Sequence, residues 1–143
     1  MNGENLSPPV GRRGKCPDTL APDGSKIRIL LGTAQAAESA SLCEVTVDAR
    51  QRSRPVWHRR VEELWYVLKG TGSVWRSPPG SDPDHTVPVE VGPGDALVIP
   101  PRWHFQFAAG PQALTFLCFT CPPWPGADEA QPAPFGGLGR PTI

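Results

Sequence analysis

Proline or glycine interrupts this chain at short intervals from end to end, which leaves no stretch for a long amphipathic helix. The nineteen prolines and fifteen glycines form no low-complexity tract. They separate short runs of β-branched and aromatic residues, the pattern of short strands joined by turns. Lys26 to Leu31 (KIRILL) reads as a first strand. Ser41 to Ala49 then alternates Leu42, Glu44 and Thr46 against Cys43, Val45 and Val47, as a half-buried strand does. The alanine-rich segment between them allows a helical turn. ELWYVLKG (63–70) and GSVWR (72–76) are two further strands with a tight turn or bulge at Gly70-Thr71-Gly72. SPPGSDPDH (77–85) is a loop, because its three prolines remove donors that a ladder requires. HTVPVEV (85–91) is expected at a sheet edge, with Pro88 inside it. GPGDALVIPP (92–101), WHFQFAA (103–109) and ALTFLCFTC (113–121) complete the strands. The expectation is an all-β sandwich or small barrel.

A length of 143 residues suits one domain. Residues 1–24 read as an extended polar arm, 25–121 as the barrel, and 122–143 as a tail crossing its surface, with Trp124 and Phe135 as its large anchors. Fourteen basic and fourteen acidic residues cancel, so no long-range field favours nucleic acid, anionic lipid or a strongly acidic substrate. The first residues lack an apolar signal segment and no run is long enough to span a bilayer, so a cytoplasmic location is expected. Cys16, Cys43, Cys118 and Cys121 are too few and too scattered for a disulfide scaffold and are expected as reduced thiols. CFTC (118–121) has zinc or redox spacing, but on one strand Cys118 and Cys121 point to opposite faces. GTGSVW and GPGD are turns rather than phosphate loops, since neither has the lysine or helix such a loop needs.

The residues that carry chemistry cluster in PVWHRRVEELWYVLKG (55–70) and PRWHFQF (101–107). His58, Glu63 and Gly70 keep the spacing of the second His, the Glu and the closing Gly of the first cupin motif, and Gly94 and Pro100 match the opening of the second. In these residues, over about Ser25 to Cys121, the chain resembles the cupins, and APDGSKIRILL and TCPPWPG further resemble a branch of small stand-alone cupins. That resemblance implies a double-stranded β-helix or jelly-roll barrel, with His58 and Glu63 pointing into its mouth. The chain departs from the pattern elsewhere. Arg50 stands for the leading Gly and Val56 for the first His, while Arg102, Phe105 and Ala109 stand for the Gly, His and Asn of the second motif. Neither Val nor Phe donates a lone pair to a metal.

With Glu63 pointing inward as the resemblance implies, the period of a strand puts Trp65 and Val67 on the same inner face, with Glu62, Leu64 and Tyr66 outside. His104 lies one residue before the expected ligand position. If the turn at Pro101-Arg102-Trp103 is one residue tight, His104 and Gln106 face inward, and His58, Glu63 and His104 form a two-His, one-carboxylate triad. In the ungapped register Phe105 and Phe107 face inward instead, with no third ligand evident. The cofactor is accordingly either none or one divalent metal (iron, manganese, nickel or zinc), with no organic cofactor.

Three functions are open at this point. In the first, His58 and Glu63 shuttle protons on a small organic molecule, driving isomerisation, cyclisation or elimination. Val56, Trp65, Trp75, Phe105 and Gln106 then border the substrate. The second is a metal-dependent oxygenase or isomerase on His58, Glu63 and His104, and the third a non-catalytic binding barrel. Arg52, Arg54, Arg59 and Arg60 either steer an anion into the mouth or pair with surface carboxylates. His85 is expected in solvent. The partner is a small molecule, without nucleic acid or membrane, and the resemblance together with the long arm implies a homodimer.

Overall fold

The computed structural model describes residues 6–143. Its eleven strands are β1 (Thr19–Leu20), β2 (Lys26–Leu31), β3 (Ser41–Val47), β4 (Val56–His58), β5 (Glu62–Lys69), β6 (Gly72–Ser77), β7 (Val89–Val91), β8 (Ala96–Ile99), β9 (His104–Ala109), β10 (Leu114–Cys121) and β11 (Ala130–Pro132). They form two antiparallel sheets, in the orders β1-β2-β3-β10-β5-β8 and β11-β4-β9-β6-β7. From β3 onward the chain changes sheet at most connections, which is the jelly-roll arrangement of a cupin barrel. Among the described residues the only helices are short 3-10 turns, one of them at Thr33–Gln35 where the alanine-rich segment allows it. None is long or apolar enough to cross a membrane.

Period-two alternation decides which side chains meet between the sheets. On β5, Glu63, Trp65 and Val67 are buried while Leu64 and Tyr66 are exposed. Trp65 packs against Phe116 at 4.0 Å and meets the edges of Phe107 and Phe105 at 5.0 and 6.1 Å between ring centroids. An aromatic cluster of this size is the main anchor of the core, and truncating one such ring costs about 3–5 kcal/mol. Val67, Val74, Val91, Ile99 and Leu114 fill the rest of one end. The other end, toward β2, β3 and β4, stays open.

The turn between β5 and β6 requires Gly70 for two reasons: its φ is +76°, and an added Cβ would meet the Ala113 carbonyl. Pro88 does not enter a strand; it limits β7 to Val89–Val91, which lies at the edge of its sheet as expected. His85 sits in an exposed 3-10 turn, with its backbone N–H donating to the Asp82 carbonyl.

Arm and tail are both bound to the barrel. Residues 1–5 of the expected arm lie outside the described residues. Farther on, Arg13 Nε donates to both carboxylate oxygens of Glu44, at 3.1 and 2.8 Å, and Arg28 lies 3.7 Å from the same group. Thr19 and Leu20, within the expected arm, pair with β2. The tail contributes β11, which pairs with β4, and then crosses the outer face of the smaller sheet. Thr142 N donates to the Arg52 carbonyl at 2.9 Å, and Ile143 packs against the core.

Candidate functional site

His58 is the last residue of β4, a strand short enough that only Val56 and His58 turn inward. The turn into β9 fixes its backbone: Arg102, in the left-handed region at φ +69°, donates its N–H to the His58 carbonyl at 2.7 Å. The imidazole is 4 % exposed and is edged by Phe105 at 5.2 Å and Trp124 at 5.0 Å between ring centroids. Its Nδ1 is buried with no hydrogen-bond partner among the described residues. Glu63 Oε2 lies 3.9 Å from it, too far for a hydrogen bond. Glu63 itself is 8 % exposed, and its Oε1 accepts the indole N–H of Trp65 at 3.0 Å.

Burial governs the charge of both groups. It pushes the Glu63 carboxyl up to about 7; the Trp65 and Cys118 donors oppose this rise and the nearby Asp23 carboxyl adds to it. Burial also pulls the His58 imidazole down to about 4, against the pull of the Glu129 carboxylate. Near neutrality His58 is therefore uncharged and Glu63 stands close to its midpoint, so their proximity is not an ion pair. Although burial opposes ionisation of Glu129 too, Arg60 N and Val61 N donate to its Oε2 at 2.5 and 2.9 Å and hold it below the usual carboxylate range.

The pair opens on a cavity of about 730 Å³, large enough for a molecule of several rings. Ile27, Val45, Val56, Trp65, Phe107 and Phe116 form its apolar walls, and no lysine or arginine side chain lines it among the described residues. Three parts of the wall were not singled out from sequence. Asp23, in the turn between β1 and β2, is buried with its Oδ1 accepting Ser25 N and Oγ at 2.9 and 2.6 Å, and burial raises its carboxyl. Trp124, expected merely against the sheet, covers His58, its backbone N–H held by Ser41 Oγ at 3.1 Å. Cys43 and Cys118 also line the wall. The PDGS turn and the lone aromatic of PPWPG were the available signals.

The expected site residues fall into two groups. His58, Glu63, Val56 and Trp65 line the cavity, and Phe105 backs His58. The ungapped register holds in β9, with Phe105 and Phe107 inward. Gln106 and Trp75 pair on the opposite face, so the sequence-based placement of both in the cavity is corrected. They are buried there because the tail covers them. Gln106 Nε2 donates to the Ser53 and Gly139 carbonyls at 3.0 and 2.8 Å, its Oε1 accepts Leu138 N at 2.9 Å, and Trp75 meets the edge of Phe135 at 6.3 Å.

His104 is also outside, stacked on Trp57 at 6.2 Å, and does not join His58 and Glu63. With Val56 and Phe105 at two usual ligand positions, the motif positions themselves supply only one imidazole and one carboxyl. No group of three or more His, Cys, Asp or Glu side chains among the described residues is placed to hold a metal ion, so the residues do not fit the metal triad. The flanking arginines serve the tail: Arg52 Nη1 donates to the Arg140 carbonyl at 2.7 Å, Arg54 Nε to that of Ile143 at 3.0 Å, and Arg60 lies 3.9 Å from Glu129. Cys118 is buried and Cys121 exposed, on opposite faces of β10 as the period requires.

A family model described as a cupin domain matches residues 43–120, more than half of the chain. No curated protein is similar to the chain in sequence. Among solved structures, the polyketide cyclase RemF from Streptomyces resistomycificus aligns with a TM-score of 0.64 and 24 % identity, covering 94 % of this chain and 87 % of that one. The nucleoside dehydratase Pac13, known from Streptomyces, aligns at 0.60 and 15 % identity, over 94 % and 95 % of the two chains. Oxalate decarboxylase from Bacillus subtilis reaches 0.73 at 13 % identity, over 90 % of this chain and 33 % of that one. Likeness at these identities is likeness of fold.

Proposed function

The chain belongs to the cupin domain family, and we propose that it is an enzyme without a metal that moves protons on a small, uncharged, ring-bearing molecule, driving a cyclisation, isomerisation or elimination. The observation that carries this reading is the unpartnered Nδ1 of a buried, neutral His58, 3.9 Å from a Glu63 carboxyl poised near neutrality. A buried polar atom without a partner is costly, and such groups gather where a substrate supplies the missing bond.

Two neutral groups side by side suit bifunctional catalysis. The protonated Glu63 gives its proton to a carbonyl or leaving hydroxyl oxygen while His58 takes one from carbon or from a second hydroxyl. The imidazolium and carboxylate so formed attract each other across the same gap in a low-dielectric pocket. Return of the proton from His58 to Glu63, directly or through the product, resets the site. Apolar walls and ring faces favour an aromatic or polycyclic substrate, and the absence of cationic side chains disfavours phosphates and carboxylates. The names of two structural neighbours, a polyketide cyclase and a nucleoside dehydratase, describe reactions of this proton-in, proton-out kind.

The test is turnover of a panel of neutral polyhydroxylated aromatic ketones by wild-type protein and by the His58→Ala and Glu63→Gln variants, each first shown to be folded. Loss of turnover in both variants is expected, with wild-type activity unchanged by dialysis against a chelator. Full activity in either variant would sink the proposal, and activity restored only by an added divalent ion would favour the metal reading. A tight ligand recovered unchanged from wild-type protein would favour a binding barrel.

A further inference from the structure

Cys43 and Cys118 stand directly opposite each other on the adjacent antiparallel strands β3 and β10. Residues so paired point to the same face, here the inner one: Cys118 belongs to the core, Cys43 packs against it, and both line the cavity. Cys43, burial and the Glu63 carboxyl together hold the Cys118 thiol well above the usual thiol range. The other two cysteines are elsewhere, with Cys16 exposed in the arm and Cys121 exposed on the far face of β10.

Directly opposed residues of an antiparallel pair have Cα atoms about 4.5 or 5.5 Å apart and Cβ atoms about 4.5–5.5 Å apart. A disulfide needs Cα atoms about 4.4–6.8 Å apart and Cβ atoms about 3.5–4.5 Å apart. A local movement of about 1 Å therefore closes the bond without altering the ladder. Access is asymmetric. Cys43 is partly exposed on the cavity wall, whereas Cys118 is 1 % exposed behind it. A reagent entering the cavity meets Cys43 first.

We propose that Cys43 and Cys118 form a modification site, a cross-strand dithiol that closes to an intramolecular disulfide by exchange with a small organic disulfide admitted through the cavity. The Cys43 thiolate attacks one sulfur of the reagent, forming a mixed disulfide and releasing the first small thiolate. Cys118 then gives up its proton and attacks the Cys43 sulfur, breaking the mixed disulfide and expelling the second thiolate. Two protein thiols are oxidised, one small disulfide is reduced to two thiols, and the two protons pass to the two thiolates released. Because Cys118 and Glu63 sense each other electrostatically, closure also alters the surroundings of the candidate dyad's carboxyl.

The experiment exposes the folded full chain to bis(2-hydroxyethyl) disulfide, a small uncharged reagent, alkylates all remaining thiols after denaturation, and reads mass and cross-linked peptides. The expected product of wild-type protein has lost two hydrogens at one Cys43–Cys118 link. Cys118→Ser is expected to stop at a mercaptoethanol adduct on Cys43, and Cys43→Ser to leave Cys118 free. A wild-type chain in which both remain free while Cys16 and Cys121 are modified would overturn the proposal. So would a lasting mercaptoethanol adduct on wild-type Cys43, or a link from either residue to Cys16 or Cys121. The readout is mass rather than turnover, so it is independent of the proposed reaction.

Discussion

Replacing Glu63 by Gln has an effect on stability that depends on pH in a way the site geometry dictates. Glu63 binds its proton more tightly folded than unfolded, since its value rises from 4.5 to about 7. Its stabilising contribution is full below pH 4.5 and is lost as pH rises through about 7; the span is worth about 3 kcal/mol at about 1.4 kcal/mol per unit. His58 does the opposite. Its value falls from 6.5 to about 4, so folding excludes its proton and stability recovers as pH rises from about 4 to 6.5, again by about 3 kcal/mol. In the wild-type protein the two slopes oppose each other over most of this range, and the pair contributes little net pH dependence. The amide of the Glu63→Gln variant does not titrate, which leaves the His58 slope uncompensated. The stability of Glu63→Gln minus that of wild type is therefore expected to grow by about 3 kcal/mol between pH 4.5 and 7.5. Urea unfolding followed by tryptophan fluorescence across a pH series measures this difference, and titrations common to both proteins cancel in it. A difference that stays constant with pH would refute the claim that Glu63 is a buried carboxyl held protonated toward neutrality.

Asp23→Asn removes the carboxyl that adds to the Glu63 rise while keeping an oxygen for Ser25. The Glu63 midpoint, read from its side-chain carbon resonance, is expected to fall, and a rise or no change would show that the two groups do not sense each other. Gln106→Leu strands the Ser53 and Gly139 carbonyls and the Leu138 N–H. A loss of about 2–4 kcal/mol is expected, with protease cleavage moving into the tail; an unchanged unfolding midpoint would contradict the role given to Gln106.

The inward set on β5 was legible because the resemblance placed Glu63 inward and the strand period carried Trp65 and Val67 with it; alternation alone reports only which residues share a face. It does not report which face of a strand is later covered. Gln106 and Trp75 are buried on the outer side by a segment that returns from far along the chain, so polarity along β9 and β6 gave no sign of it. The direction of His104 turned on one turn, at Arg102, where a single residue of slack reverses a whole strand. Asp23 sits in a PDGS turn, where Asp is ordinary on local grounds, and only the tertiary arrangement carries it into the cavity with Glu63. The apolar residues at Val56 and Phe105 were the clearest signal of all, since they removed two ligands before any geometry was known.

The region that marks the chain as a cupin ends at residue 120, yet Trp124 and Glu129, the aromatic cover and the anionic neighbour of His58, come after it. The surroundings of His58 thus draw on more of the polypeptide than the stretch that carries the signature. A protein trimmed to the matched region would keep His58 and Glu63 but leave the imidazole without its roof and without its anionic neighbour. Exchange of C-terminal segments between related barrels would accordingly change the surroundings of His58 while leaving the two side chains of the pair in place.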